Sequence, residues 1–386
     1  MPCKADYVPA KTAQDREINL PEGVPALRSL YLYIAGACNL ACRHCWISPT
    51  FNPNGGGQFL PFEYIEQAVQ QALPLGLGTV KLTGGEPLLH PRFRDILALL
   101  HRLGLPCTIE TNGTLLDRDM AEFMKQHGVR FVSVSVDGAT PETHDNLRMV
   151  PGSFHRAVTG LRALVETGYP AQLICTLHQD NVAELVDVVT LGERLGCASV
   201  KFNHVQRAGR GERFGSDKGF SVEEIIALNN RIETEIVPNH RISVYFDVPL
   251  AFQPIRRLLY DSGRCTIQEI LGILTTGEIS LCGIGVTVPE LVFGHLATEA
   301  LYDVWCQAPV LKTVREQIPD QLEGICHNCL HRNLCQGHCI AHNYHITGQL
   351  NAPFHFCEQA DRAGLFPITR KRDGAAPVAP SDHAWG

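Results

Sequence analysis

The stretch LYLYIAGACNLACRHCW, residues 30–46, joins a strand to a cysteine loop. LYLYIA (30–35) is apolar and aromatic and reads as a buried strand. Cys38, Cys42 and Cys45 follow at once, three thiols within eight residues. Soft thiolates at this spacing suit an iron–sulfur cluster or zinc. Three ligands leave one iron of a four-iron cube open, whereas a structural zinc site would recruit a fourth ligand, for which His44 is at hand. In β/α folds, the loop after a strand is where catalytic residues collect.

Working outward, strand-like runs recur at TVKLT (79–83), PCTIET (106–111), RFVSVSV (130–136), AQLICT (171–176) and SVKFNH (199–204). Helical periodicity lies between them: Phe62, Ile65, Val69 and Leu73 after Pro61, then Phe93, Ile96, Leu100 and Leu103, then Phe154, Val158, Leu161 and Val165, then Leu185, Val188 and Leu195. This alternation predicts an α/β fold with right-handed βαβ crossovers and a parallel sheet, either an open barrel or doubly wound. It ends near residue 240, where Cys, His and Gly become frequent. The expected organisation is therefore an N-terminal arm (1–27), a β/α domain (28–239), a metal-stabilised extension (240–366) and a polar Ala/Pro-rich tail (367–386) expected to be disordered.

Composition narrows the classes. An apolar fraction of 45% and a charged fraction of 19% suit a globular protein. A net charge of −7 gives no reason to expect a nucleic-acid partner. There is no apolar run of about 18 residues for a membrane span and no apolar segment of a secretory signal near the start. A cytoplasmic location is expected. In that reducing compartment the chain's 15 cysteines are poor disulfide candidates and point to metal or cluster ligation. Cys107 and Cys175, within strands, read as small core residues.

Polar motifs stand at the ends of successive strands. TGGEP (83–87) offers Gly84 and Gly85 for close backbone approach and Glu86 as an acceptor for an ammonium group. IETNGT (109–114) places Glu110 and Asn112 where a ribose or cluster edge would lie, and SVSVDG (133–138) adds Ser135 and Asp137 at the same rim. HDNLR (144–148) supplies Arg148. A CxxxCxxC loop closed by Trp46, with these motifs in this order, resembles the radical SAM superfamily over residues 28–236. The resemblance implies a partial (β/α)6 TIM-like barrel and a [4Fe–4S] cluster on Cys38, Cys42 and Cys45. The open iron of that cluster chelates S-adenosyl-L-methionine (SAM). It also implies that the GGEP motif binds the SAM amino group, that Arg148 pairs with the SAM carboxylate, and that an external electron donor drives cleavage to a 5′-deoxyadenosyl radical.

The C-terminal cysteines read C-x11-G-x4-C (Cys265, Gly277, Cys282), then C-x2-C-x5-C-x3-C (Cys326, Cys329, Cys335, Cys339), then Cys357. A zinc ribbon using His327, His331, His338 or His342 is the alternative. The order resembles the SPASM extension, which implies two auxiliary [4Fe–4S] clusters: a nearer one on Cys265, Cys282 and Cys339, and a farther one on Cys326, Cys329, Cys335 and Cys357. LLYDSGRC (258–265) lacks the eighth cysteine of some relatives. The nearer cluster is then expected to keep an open iron or to take Asp261, Cys306 or a substrate atom.

Relatives with this extension modify ribosomally made peptides, oxidise a sulfatase cysteine or serine to formylglycine, or act on small molecules. The sulfatase group carries an aspartate after the G-x4-C cysteine, where this chain has Gly283. The expected function is maturation of a precursor peptide by crosslinking, thioether formation or backbone excision. The alternatives are a small-molecule dehydrogenase or epimerase, a formylglycine-forming maturase and, outside enzymes, a zinc-stabilised scaffold. Residues 1–27 are too few for an independent leader-binding fold, so a separate partner protein is expected to deliver the leader.

Overall fold

The computed structural model describes residues 18–260 and 265–372. Cys3, Asp261 and the tail beyond Arg372 lie outside these residues. Parallel strands follow in chain order: β1 (Ser29–Ala35), β2 (Thr79–Gly84), β3 (Cys107–Thr111), β4 (Val129–Ser135), β5 (Ala171–Leu177), β6 (Ser199–His204) and β7 (Ser243–Phe246). The ladder keeps register: Leu30 lies opposite Val80, and Val80 opposite Cys107. Helices α1 (Phe62–Ala72), α2 (Phe93–Arg102), α3 (Arg118–Gln126), α4 (Pro141–Arg148), α5 (Ser153–Glu166) and α6 (Leu185–Leu195) make the crossovers. Their starts are written locally. Asp117 accepts from the Met120 N–H at α3, and Thr140 accepts from the Thr143 N–H at α4 with Pro141 next.

Strand alternation sorts the side chains. Leu30, Leu32, Val80, Leu82, Cys107, Val132, Leu173, Cys175, Val200 and Phe202 face the helices and are buried. The opposite phase lines the inside of the barrel. There Lys81 Nζ sits 4.9 Å over the Tyr31 ring and 2.5 Å from Glu110 Oε1. A barrel interior carrying charge at mid-strand is a chamber for a ligand rather than a packed core.

Two features were not foreseen. The strand β7 lies past the point where the alternation seemed to stop; a four-residue SVYF run is too short for periodicity to reveal. The Cys-rich segment also joins the same sheet. Its strand β8 (Ile270–Ile273) pairs in parallel with β1, and β9 (Glu278–Ser280) and β10 (Val292–His295) follow antiparallel, giving this sheet ten strands among the described residues. The extension is anchored further where Trp305 donates to the Pro25 carbonyl at 2.9 Å, and within it Phe252 packs on Phe356 and Phe366. Within the tail expected to be disordered, residues 367–372 are described. Ile368–Arg370 forms a 3-10 turn, and Lys371 bridges to Cys329.

Candidate iron–sulfur and cofactor sites

The first cysteine loop is held from several sides. Cys38 ends a two-residue strand paired with Thr50–Phe51. The N–H groups of Ala41 and Arg43 donate to the carbonyls of Arg148 and Leu147 at 3.2 and 3.0 Å. Arg210 donates to the carbonyls of Cys42 (2.9 Å) and Pro49 (3.1 Å). Arg210 belongs to a Gly-Arg-Gly run that sequence reading passed over. A Cβ on Gly209 would stand 2.4 Å from the Trp46 carbonyl oxygen, and one on Gly211 would stand 2.9 Å from that of His44. The signal available was the position of this run, just after the sixth strand on the same rim.

These thiols suit a cluster. All three are free, and Cys38 and Cys42 are buried. Burial pushes the Cys38 thiol up to about 12 and also raises Cys42, so it takes a cation to bind the thiolate form. Donors are already aimed at the sulfurs. The Leu40 N–H lies 3.4 Å from Cys38 Sγ, Asn112 Nδ2 lies 3.8 Å from Cys38 Sγ, and Arg148 Nη1 lies 3.6 Å from Cys42 Sγ. Such hydrogen bonds to cysteine sulfur are among the levers that tune a cluster.

Most of the residues expected around SAM stand at one rim, and Glu86, Asn112, Asp137 and Arg148 among them have protein partners. The two glycines let β2 close on β1 and the cysteine loop: a Cβ on Gly84 would meet the Ala35 carbonyl oxygen at 2.6 Å, and one on Gly85 would meet that of Ala37 at 2.1 Å. Glu86 is fully buried and accepts from Thr111 Oγ1 (2.7 Å), the Asn112 N–H (2.8 Å) and the Leu88 N–H (3.1 Å). Asn112 also donates to Asn39 Oδ1 at 2.8 Å. Ser135 ends β4 opposite Ile174, half-buried. Asp137 accepts from Arg148 Nε at 2.6 Å and from the Thr176 N–H at 2.8 Å, with His44 Nε2 3.6 Å away. Burial works against the Asp137 carboxylate, but Arg148 and then His44 outweigh it and hold its pKa well below the usual range. Glu110 stands apart, inside the barrel with Lys81 and with Thr83 Oγ1 at 3.2 Å.

Glu86 yields a pH prediction. Burial raises its carboxyl from 4.5 to about 7, against the three donors that favour the anion. A carboxyl raised on folding stabilises most below its unfolded pKa, and that contribution is lost as pH climbs through the folded value. The cluster-free protein is therefore expected to lose about 3 kcal/mol relative to Glu86→Gln between pH 4.5 and 8. The neutral imidazoles of His44 and His144, held down to about 4 by burial, act in the opposite direction but cancel in this comparison. Urea unfolding of both proteins across that range checks it, and parallel stability curves would contradict it.

The C-terminal cysteines fall into two groups. Cys265, Cys282 and Cys339 come together: after burial, the neighbouring Cys339 and Cys282 sulfurs raise Cys265 further, and Cys282 does the same to Cys339. Lys81 reaches Cys265 and Cys282 as a charge, so this trio faces the barrel interior. Cys326, Cys329, Cys335 and Cys357 line a small apolar cavity with Ala251, Ile325 and Phe354. There the Phe354 and His331 N–H groups donate to Cys326 Sγ and Cys329 Sγ, each at 3.3 Å. A zinc ion needs its donors converging at about 2.0–2.3 Å. Among the described residues no three His, Cys, Asp or Glu side chains are close enough to share one ion. The four thiols line one cavity, and soft thiolates are the donors an iron–sulfur cluster takes. Cys306 lies on the helix Leu301–Gln307 among Tyr302, Arg315 and Asp303. His342 is buried against His355, with Nε2 unpartnered.

Between these sites lies a cavity of about 400 Å³ bordered by Gln172, Lys201, Tyr245, Asp247, Cys265 and His338. Lys201 Nζ is 3.9 Å from Asp247 Oδ2. Gly283, where the sulfatase group has its aspartate, has no room for a side chain: a Cβ would fall 1.6 Å from Tyr33 Oη.

Comparison with known proteins agrees with this layout. The family described as the radical SAM superfamily matches residues 32–192. The SPASM family, an iron–sulfur cluster-binding domain, matches residues 265–330. The chain is 27% identical over 331 residues to the AdoMet-dependent heme synthase of Methanosarcina barkeri, covering 82% of this chain and 91% of that one. It is 26% identical over 359 residues to the mycofactocin maturase MftC of Mycobacterium ulcerans, covering 91% and 92%. Its fold is similar to that of Streptococcus suis SuiB bound to its precursor peptide SuiA, with a TM-score of 0.69 at 16% identity, covering 87% of this chain and 76% of SuiB.

Proposed function

This chain is a radical SAM enzyme with a C-terminal SPASM domain, and on that premise we propose that it matures a ribosomally synthesised precursor peptide. Its radical SAM domain binds a [4Fe–4S] cluster and SAM, and its SPASM domain binds iron–sulfur clusters. In our reading Cys38, Cys42 and Cys45 hold the SAM cluster. Cys265, Cys282 and Cys339 hold the nearer auxiliary cluster, and Cys326, Cys329, Cys335 and Cys357 the farther one. The SAM cluster, when bound, supplies the electron that cleaves SAM and yields a 5′-deoxyadenosyl radical. The protein's own part is enclosure and positioning. Gly84, Gly85 and Glu86 shape the rim for the SAM amino group, Asn112 and Arg148 steady the cysteine loop, and Ser135 and Asp137 complete the wall.

The observation that favours a peptide is the balance of charge in the chamber. Lys81 is matched by Glu110, and Lys201 by Asp247. Gln172, Tyr245 and His338 add neutral hydrogen-bonding groups. Such a wall suits amide groups, whereas a tetrapyrrole bearing several carboxylates would want unpaired cations. The relatedness to heme synthases nevertheless makes tetrapyrrole chemistry the second reading.

The test is anaerobic reconstitution with SAM and reductant, offered separately peptides encoded beside the gene, iron coproporphyrin and a sulfatase-type cysteine peptide. A neighbouring peptide should raise 5′-deoxyadenosine release above background and change mass. Stimulation by the porphyrin or the sulfatase peptide alone would overturn the peptide reading.

A further inference from the structure

The run Gly209–Gly211 follows the backbone of the first cysteine loop residue by residue. The Arg210 N–H donates to Ser48 Oγ at 2.7 Å, and its side chain donates to the Cys42 and Pro49 carbonyls at 2.9 and 3.1 Å. The Gly211 N–H donates to the Cys45 carbonyl at 3.3 Å. The two glycines let this run lie against the Trp46 and His44 carbonyls, where a Cβ would collide. A guanidinium is thus fixed against the loop by two carbonyls, and its charge has to be accounted for.

Three arginines stand at this loop, and they differ in how their charge is balanced. Arg43 is exposed, bonded to Asn146 Oδ1 at 3.1 Å, and water screens it. Arg148 pairs with Asp137 at 2.6 Å. At the Cys42 sulfur these two act in opposite directions, so much of the Arg148 charge is cancelled there. His44 adds no charge at neutral pH, because burial holds its imidazole down to about 4. Arg210 differs from all of these. Among the described residues it pairs with no carboxylate, and its Nη2 is buried without a hydrogen-bond partner. An enclosed cation with no counter-ion is costly until an anion meets it. Thiolates gathered on a four-iron core make the loop such an anion, and reduction makes it more negative.

We propose that Arg210 is a positioning residue whose uncancelled charge raises the reduction potential of the cluster held by Cys38, Cys42 and Cys45. Reduction brings one electron from the reductant to that cluster; no atom or proton moves. A fixed cation favours the more negative, reduced state. A unit charge roughly 10 Å away at an effective dielectric of about 20 moves such an equilibrium by about 10-fold, or about 59 mV for one electron. The inference rests on the three-cysteine assignment made above and does not depend on which substrate is modified.

The test is a potentiometric titration of the full-length, cluster-loaded protein with dithionite and redox mediators. It follows the electron paramagnetic resonance signal that responds to SAM. Arg210→Gln keeps a side-chain donor but no charge. At a fixed potential its ratio of reduced to oxidised cluster should fall about 10-fold. Arg210→Lys keeps the charge and should stay within about twofold of wild type. Arg213→Gln removes an exposed charge from the following helix, Gly211–Lys218, and should titrate as wild type does. Iron per chain should be unchanged in all three. Cys42→Ala should abolish the signal; if the signal survived, the cysteine assignment would fail and the proposal with it. The proposal alone is overturned if Arg210→Gln and Arg210→Lys titrate alike. It is also overturned if either Arg210 variant loses iron, since Arg210 would then only brace the loop.

Discussion

Replacing Asp137 with alanine is expected to cost about 3–5 kcal/mol of folding stability in the cluster-free protein. Asp137 is fully buried and sits where three elements meet. It closes a 2.6 Å ion pair with Arg148 at the end of α4, accepts from the Thr176 N–H on β5, and receives His44 from the cysteine loop at 3.6 Å. Without it, the Arg148 guanidinium stays buried with Cys42 Sγ, 3.6 Å away, in place of a carboxylate. An uncompensated interior charge is what makes breaking such a pair expensive, whereas removing both partners is far less so. The double variant Asp137→Ala/Arg148→Met should therefore recover much of the loss. Asp137→Asn, which can still accept from Thr176 but carries no charge, should fall between. Urea unfolding gives all three values. A loss below about 1 kcal/mol for Asp137→Ala would mean that water reaches the pair and that it behaves like a surface salt bridge.

The same residues show what the sequence could and could not tell. The first six strands and the helices starting at Phe62, Phe93, Ser153 and Leu185 were legible because each buries one periodic face, and burial is what periodicity records. The late cysteines form two spatial groups, one of three and one of four. Partnering was not legible. Gly84 and Gly85 suggest open space for a ligand, yet the oxygens they approach belong to Ala35 of β1 and Ala37 of the cysteine loop. The neighbours of Glu110 in IETNGT suggest the cofactor rim, but strand alternation turns it inward to Lys81. Arg210 carries no motif at all; its role rests on two carbonyls more than 150 residues away in sequence. Residue type sets which chemistry a side chain can do, but only the folded chain determines its partner.

Gly283→Ala is expected to empty the nearer auxiliary site while leaving the other two loaded. The added methyl group would lie 1.6 Å from Tyr33 Oη and 1.9 Å from Cζ, so one of the two segments must move. Neither has room. Behind Cys282, its carbonyl oxygen is 2.2 Å from where a Cβ on Gly272 would be, so β8 already presses against that backbone. On the other side, Tyr33 is buried in β1 with its ring edge-on to Trp46 at 6.3 Å. Overpacking in a close-packed region usually costs 1–3 kcal/mol through forced shifts, and here the segment that shifts carries Cys282. Iron should drop from about 12 to about 8 per chain, one four-iron cluster fewer. The electron paramagnetic resonance signal that responds to SAM should remain. Adding Tyr33→Ala to Gly283→Ala removes the ring and should return iron toward the wild-type level, which separates crowding from general unfolding. If Gly283→Ala alone keeps all its iron, Tyr33 is free to swing aside and is no fixed wall between the barrel interior and the auxiliary site.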